Sequence, residues 1–408
     1  MKLTYLILLS LILAATLTDG GVPTGKPEDV GMSPERLQRI HEAIQRHIDA
    51  GEISGAVTLV ARRGSVVHFE AHGLMDIESK RPMEKDAIFR IASMSKPITG
   101  VAVMMMLEEG KLRLSDPVSK FLPEFKDAKV AVARTNSTDF YVVPADRDLT
   151  IRDLLTHTNG LMTGGLGSKA GPPRPVEGET LATYIPRLAA APLDFQPGTQ
   201  WAYSGLAGPD ILSRIVEIVS GVPYDEFLRT RIFEPLGMKD TFFYPPDDRR
   251  PRMVTLYGKS PKGLVKAANQ DGFSLKTYCS GAGGLMSTAE DYLQFAEMLL
   301  NGGVLNGKRL LSPRTVELMA SNHVGDMYNG KLGRPAHGMG YGLLVGIVED
   351  SVAAGLRVSN GSFGWDGAYG TQTWIDPKEK MVTIVMIQTQ VAPVQRDFEN
   401  AVMQAIVE

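Results

Sequence analysis

The sequence predicts an α/β fold in the α+β sense: a sandwich with a central antiparallel sheet flanked by helices, plus an inserted, mostly helical subdomain. Three observations predict it. A helix pattern and a hairpin pattern stand near the start of the chain. A hairpin pattern and a helix pattern stand near its end. Between them, helical periodicity is interrupted by long turn-rich stretches. Helices cover a sheet by burying an apolar stripe against it, so one sheet built from both ends of the chain closes this pattern simply.

Residues 1–20 read as a secretory signal peptide. Lys2 precedes an apolar run over 3–15, and small or polar residues follow. The run is shorter than the roughly 20 residues a spanning helix needs. The chain is therefore expected to be exported, periplasmic or secreted, with no stable membrane span after cleavage; an uncleaved anchor is the alternative. Ser33, Pro34 and Glu35 then form a helix start, with Ser as N-cap and Pro at the first helical position. Leu37, Ile40, Ile44 and Ile48 follow at helical spacing. Two β-prone runs, 56–61 and 65–71, flank Arg63-Gly64 and predict a hairpin.

In the middle, 98–107, 151–155, 206–219 and 292–300 read as helices. Residues 163–178 and 244–263 are rich in Gly, Pro and charge and read as surface loops, the first a candidate lid. A second hairpin is predicted from 370–375 and 381–388 around 376–380. A last helix is predicted over 395–407, with Phe398, Val402 and Ile406 on one stripe. The expected organisation is a discontinuous sheet domain, 21–105 and 285–408, interrupted by a helical insertion, 106–284.

Composition bounds the function. The 408 residues are 43% hydrophobic and 22% charged, enough to bury a large core. A net charge of -3 gives no electrostatic reason to expect nucleic acid or an anionic membrane as partner. Cys279 is the single cysteine, so no intrachain disulfide can form, and it reads as a small buried apolar residue.

The chemistry centres on residues 91–97, Ile-Ala-Ser-Met-Ser-Lys-Pro. Ser93 and Lys96 form Ser-x-x-Lys, which places both on one helix face. A serine hydroxyl is a poor nucleophile until a base takes its proton. A lysine serves as that base where burial or neighbouring positive charge favours its neutral form. With 23 Ser and 19 Lys in the chain, chance alone predicts about one such tetrapeptide. Its surroundings carry the weight. Residues 89–96, Phe-Arg-Ile-Ala-Ser-Met-Ser-Lys, resemble the nucleophile motif of class C β-lactamases, D-Ala-D-Ala carboxypeptidases and the esterases similar to them. Residues 154–161 (Leu-Leu-Thr-His-Thr-Asn-Gly-Leu), 197–204 (Pro-Gly-Thr-Gln-Trp-Ala-Tyr-Ser) and 281–291 (Gly-Ala-Gly-Gly-Leu-Met-Ser-Thr-Ala-Glu-Asp) resemble the same family in the same order. The chain resembles most the esterases that look like class C β-lactamases, the family VIII carboxylesterases.

The resemblance implies a β-lactamase-like sandwich. It also implies Tyr203 as partner of Lys96 in moving the Ser93 proton, from the family's Tyr-x-Asn motif. Here that motif reads Tyr203-Ser204-Gly205, so the amide that would meet a lactam side chain is missing. The family's Lys-Thr-Gly is replaced by Trp365-Asp366-Gly367, before a β-prone run at 368–375. Trp365 offers an apolar wall where lactamases place a cation. The backbone N–H groups of Ser93 and Ala368 are implied as the oxyanion hole. The expected function is a serine carboxylesterase for short or medium acyl esters. A β-lactamase or D-Ala-D-Ala carboxypeptidase is the close alternative, and a non-catalytic penicillin-binding-like module is the distant one.

Competing constellations are weaker. No Gly-x-Ser-x-Gly elbow occurs. His157 with Asp153 could suggest a triad, but the stretch reads as structural. His68, Glu70 and His72 alternate along one strand face and read as a solvated face. No cofactor and no metal is expected: His-Glu-x-x-His and paired Cys motifs are absent.

Overall fold

The computed structural model describes residues 21–135, 139–272 and 275–408. The expected signal peptide lies outside the described residues. The first helix, α1 (Pro34–Asp49), starts where its cap dictates: Ser33 accepts a hydrogen bond from Arg36 N. Leu37, Ile40 and Ile44 are buried on its inner stripe.

Strands β1 (Gly55–Arg62) and β2 (Ser65–Asp76) form the first hairpin. Arg63 and Gly64 both have positive φ, 50° and 78°. A two-residue turn of that kind matches the right-handed twist of its strands. The second hairpin joins β7 (Gln372–Asp376) to β8 (Met381–Met386). β8 pairs antiparallel with β1 in the register Val57 to Met386, so the two ends of the chain share one sheet. With β3 (Arg81–Pro82), β4 (Met339–Tyr341), β5 (Gly346–Val348) and β6 (Phe363–Asp366), the order is β4-β5-β6-β7-β8-β1-β2-β3.

Strand alternation sends successive side chains to opposite faces. Ala56, Val60 and Val385 join one buried cluster with α1 and the last helix, α6 (Ala392–Met403). Val57, Leu59, Val382 and Ile384 join the other, with α2 (Ser95–Glu108) and α5 (Ala289–Leu300). That second cluster continues through α3 (Ile151–Leu155) and α4 (Ala207–Ser220). The sandwich predicted from the sequence is the fold observed.

Three expectations change. The middle also holds two hairpins, Lys129–Ala133 with Phe140–Pro144 and Tyr257–Ser260 with Gly263–Lys266, the second reaching into the stretch read as a loop. The run 368–375 does not begin as a strand. Trp365 and Asp366 end β6, Gly370 N donates to Gly367 O across a turn at 2.9 Å, and β7 starts at Gln372. The strand face of His68, Glu70 and His72 is only partly solvated: α1 packs over it and leaves His72 only 2% exposed, while His68 and Glu70 keep intermediate exposure.

Candidate active site

Four segments meet at Ser93. The chain leaves a short ladder, Phe89–Arg90 paired with Met286–Ser287, and turns through Ala92 at φ 45°. A non-glycine residue in the left-handed region is strained and has to be held by its surroundings. Ser95 Oγ donates to Ala92 O at 2.7 Å and accepts from Leu285 N, while Tyr292 OH donates to Met94 O. The turn Ala92–Met94 runs directly into α2, so Ser93 stands at the start of a buried helix.

Lys96, one turn on, is fully buried. Its Nζ donates to Ser93 Oγ at 3.1 Å and to Ala282 O at 2.6 Å. Tyr203 comes from the extended segment before α4, and its OH donates to Ser93 Oγ at 2.8 Å. Lys96 Nζ also lies 4.9 Å from the centre of the Tyr203 ring. The three residues singled out from the sequence therefore meet at one oxygen.

Asp210 was not legible as part of this site. It lies in α4, buried, and its carboxylate accepts from Ala282 N at 3.0 Å, Ser280 Oγ and Tyr278 OH. Asp210 thereby orients the loop whose carbonyl receives Lys96. Burial pushes its carboxyl up to about 6, against these three hydrogen bonds. A raised value means that the protonated form suits the fold. The associated stability is whole below about pH 4, the range of a free aspartate, and is lost as the pH climbs through 6. Asp210→Asn has no such loss. Its unfolding free energy is expected to gain on that of the native chain by about 3 kcal/mol between pH 4 and 7. Urea titrations across that range check it, and a pH-independent difference would refute it.

His157 is fully buried, at φ 57°, with its ring 4.8 Å from that of Tyr203. Neither ring nitrogen has a partner among the described residues. Burial, then the charge of Lys96, hold it well below the usual imidazole range. Asp153 is engaged by Arg147, Thr150 and Thr158 instead. The triad is therefore absent, and the 154–161 stretch supports the site from below. Ser204 Oγ donates to Leu161 O at 2.6 Å, which ties it to the Tyr203 segment. Cys279 is half-buried, and burial pushes its thiol up to about 12, far from a reactive thiolate.

Trp365 is only 3% exposed and packs against Tyr203, Tyr328 and Tyr341. It backs the Tyr203 ring within an aromatic cluster. Asp366, half-buried, pairs with Arg334, whose guanidinium lies 5.5 Å from the Trp365 ring centre. Sequence reasoning missed Arg334, because no spacing signal links it to Asp366. The ladder from β6 to β5 stops at Gly364, so that side of Trp365 and Asp366 is not paired to β5. Gly367 lets the following turn approach the nucleophile segment. A Cβ there would lie 2.4 Å from Ile91 O and 2.3 Å from Thr371 Oγ1, which no side chain could tolerate. Ala368 follows in that turn and is exposed. A cavity of about 220 Å³ lies nearby, lined by Leu206, Asp210 and Tyr278 and by Arg174 and Pro175 of the 163–178 segment.

The family model for Beta-lactamase matches residues 40–408. Esterase EstB of Burkholderia gladioli is 31% identical over 395 residues, covering 90% of this chain and 93% of the relative. Protein Rv1367c of Mycobacterium tuberculosis is 36% identical over 364 residues, covering 85% of this chain and 88% of the relative. Among solved structures, EstCE1, "a hydrolase with promiscuous acyltransferase activity", superposes with a TM-score of 0.75 at 29% identity, covering 90% of this chain and 99% of the other. With the family model spanning nearly the whole sandwich and an esterase aligned along nine-tenths of the chain, this protein belongs to the β-lactamase family and is a serine hydrolase.

Proposed function

We propose that this chain is a carboxylesterase for short or medium acyl esters that works through an acyl-enzyme on Ser93. The observation that carries the reading is the convergence of Lys96 Nζ and Tyr203 OH on Ser93 Oγ, at 3.1 and 2.8 Å. In the reactive state the Lys96–Tyr203 pair holds one proton fewer. It takes the Ser93 hydroxyl proton as the bond from Oγ to the ester carbonyl carbon forms, and returns that proton to the departing alcohol. Water then releases the acid from Ser93. The N–H groups of Ser93 and Ala368 are proposed to hold the oxyanion, a role supported by the close approach of the Gly367 turn to Ile91. Trp365, Asp366 and Gly367 are proposed to border the substrate. Export is part of the proposal and rests on residues 1–20. Recovery of active chain lacking that segment from outside the cytoplasm would support it, and recovery only inside would refute it.

The ester reading over the lactam reading rests on Gly205. A side chain there would begin 3.2 Å from Tyr203 Cε1, and glycine supplies no side-chain amide to a lactam substituent. Arg334 favours a carboxylate-bearing substrate, and its pairing with Asp366 offsets it. A site without dedicated polar partners discriminates weakly among acyl groups and handles penicillins poorly. The kcat/KM for p-nitrophenyl butyrate is expected to exceed that for nitrocefin by on the order of 10² or more, equivalent to about 2.7 kcal/mol. Equal or reversed values would overturn the esterase reading and favour the lactamase one.

A further inference from the structure

We propose that His41, Glu70 and His72 form a binding site for a divalent first-row transition metal, with zinc as the ion it suits best. The site is independent of Ser93 and lies where α1 crosses β2. His41 Nδ1 stands 2.6 Å from Glu70 Oε1, and His72 Nδ1 stands 3.8 Å from the same oxygen. One ligand atom from each residue falls within 4.8 Å of the other two. Tetrahedral zinc with bonds of about 2.0–2.1 Å separates its ligands by roughly 3.4 Å. The ligand separations therefore need to change by at most roughly 1.4 Å, and the half-exposed His41 side chain has room to make most of that movement.

His72 supplies the independent observation. Its side chain is fully buried, and Nδ1 has no hydrogen-bond partner among the described residues while facing Glu70. A buried polar atom left without a partner needs an explanation. The other ring nitrogen is already held: His72 Nε2 lies 2.9 Å from Thr58 Oγ1, and that hydroxyl lies 2.7 Å from His68 Nε2. A consistent assignment has His72 Nε2–H donating to Thr58 and the Thr58 hydroxyl donating to His68. The lone pair of His72 Nδ1 then points at the cluster. Metal-bound histidines are oriented in this way, through a hydrogen bond on the second nitrogen. Two imidazoles and one carboxylate are a donor set that zinc and its neighbours take, with remaining positions left to water. A cavity of about 450 Å³, lined by Gln38, His41, Glu42, His68 and Glu70, gives solvent that access. A bound ion would clamp α1 to the sheet.

The test is calorimetric titration of chelator-treated full-length protein with zinc chloride, alongside thermal unfolding with and without zinc. One equivalent is expected to bind with a Kd on the order of 1 µM or tighter, and Tm is expected to keep rising with the logarithm of free zinc above Kd. His41→Asn and Glu70→Gln, both partly exposed and safe for folding, are each expected to weaken binding at least tenfold and to abolish the Tm response. No binding up to about 100 µM zinc, or binding unchanged in both variants, would overturn the proposal. Fluorophosphonate labelling of Ser93 is expected to be the same in all these proteins, so failure of this site and failure of the esterase reading are distinguishable.

Discussion

Ser93→Ala is expected to abolish ester turnover and covalent labelling by a fluorophosphonate. Every polar group of the constellation is directed at the oxygen that this change removes: Lys96 Nζ at 3.1 Å and Tyr203 OH at 2.8 Å. Without it no acyl-enzyme can form, and the remaining groups have nothing to activate. Loss of a nucleophile that acts as a unit with its base costs on the order of 10⁴ or more in rate. The fold is expected to survive. The strained turn at Ala92 is held by Ser95 Oγ and Tyr292 OH, not by Ser93. A variant that keeps its labelling, or keeps turnover within tenfold of the native chain, would show that the nucleophile lies elsewhere.

Lys96→Ala and Tyr203→Phe are each expected to lower kcat by roughly 10²–10⁴, the range for losing a positioned base. The phenylalanine change is the cleaner of the two. It deletes one hydroxyl and leaves the ring packed against His157, Trp201 and Trp365. Lys96 also holds the Ala282 carbonyl at 2.6 Å, so its alanine variant opens a buried space and releases that loop. Circular dichroism and urea unfolding separate this structural cost from the loss in rate. Because both groups serve one proton, the double variant is expected to fall far short of the product of the single effects. Multiplicative losses would show that the two act independently, and near-normal kcat in Tyr203→Phe would remove it from the mechanism.

Much of this molecule is local and was legible in the sequence. The Ser33 cap, the apolar spacing of α1, the Arg63-Gly64 turn and the β-prone runs of β1 and β8 each involve neighbours along the chain, so residue type and spacing sufficed. Ser93 and Lys96 were legible for the same reason, since three residues on a helix make a contact. Tyr203 was reached through the resemblance of its surrounding motif, and its position 2.8 Å from Ser93 is a contact across a separation of 110 positions.

The rest was decided by tertiary structure. The 368–375 run carried β-prone side chains, but the Gly367 and Gly370 turn delayed the strand to Gln372. Asp210 reads as an ordinary helical aspartate until Ala282, 72 residues away, brings it to Lys96. Arg334 meets Asp366 and His41 meets Glu70 only because separate elements cross. The sequence by itself determined the terminal helices and hairpins, the sandwich they close and the residues that share a helix turn, because those follow from short-range geometry. Only the packed structure decided which carboxylate supports the lysine, which cation borders Trp365 and which histidine loses its solvent, because burial and long-range contact are properties of the whole fold.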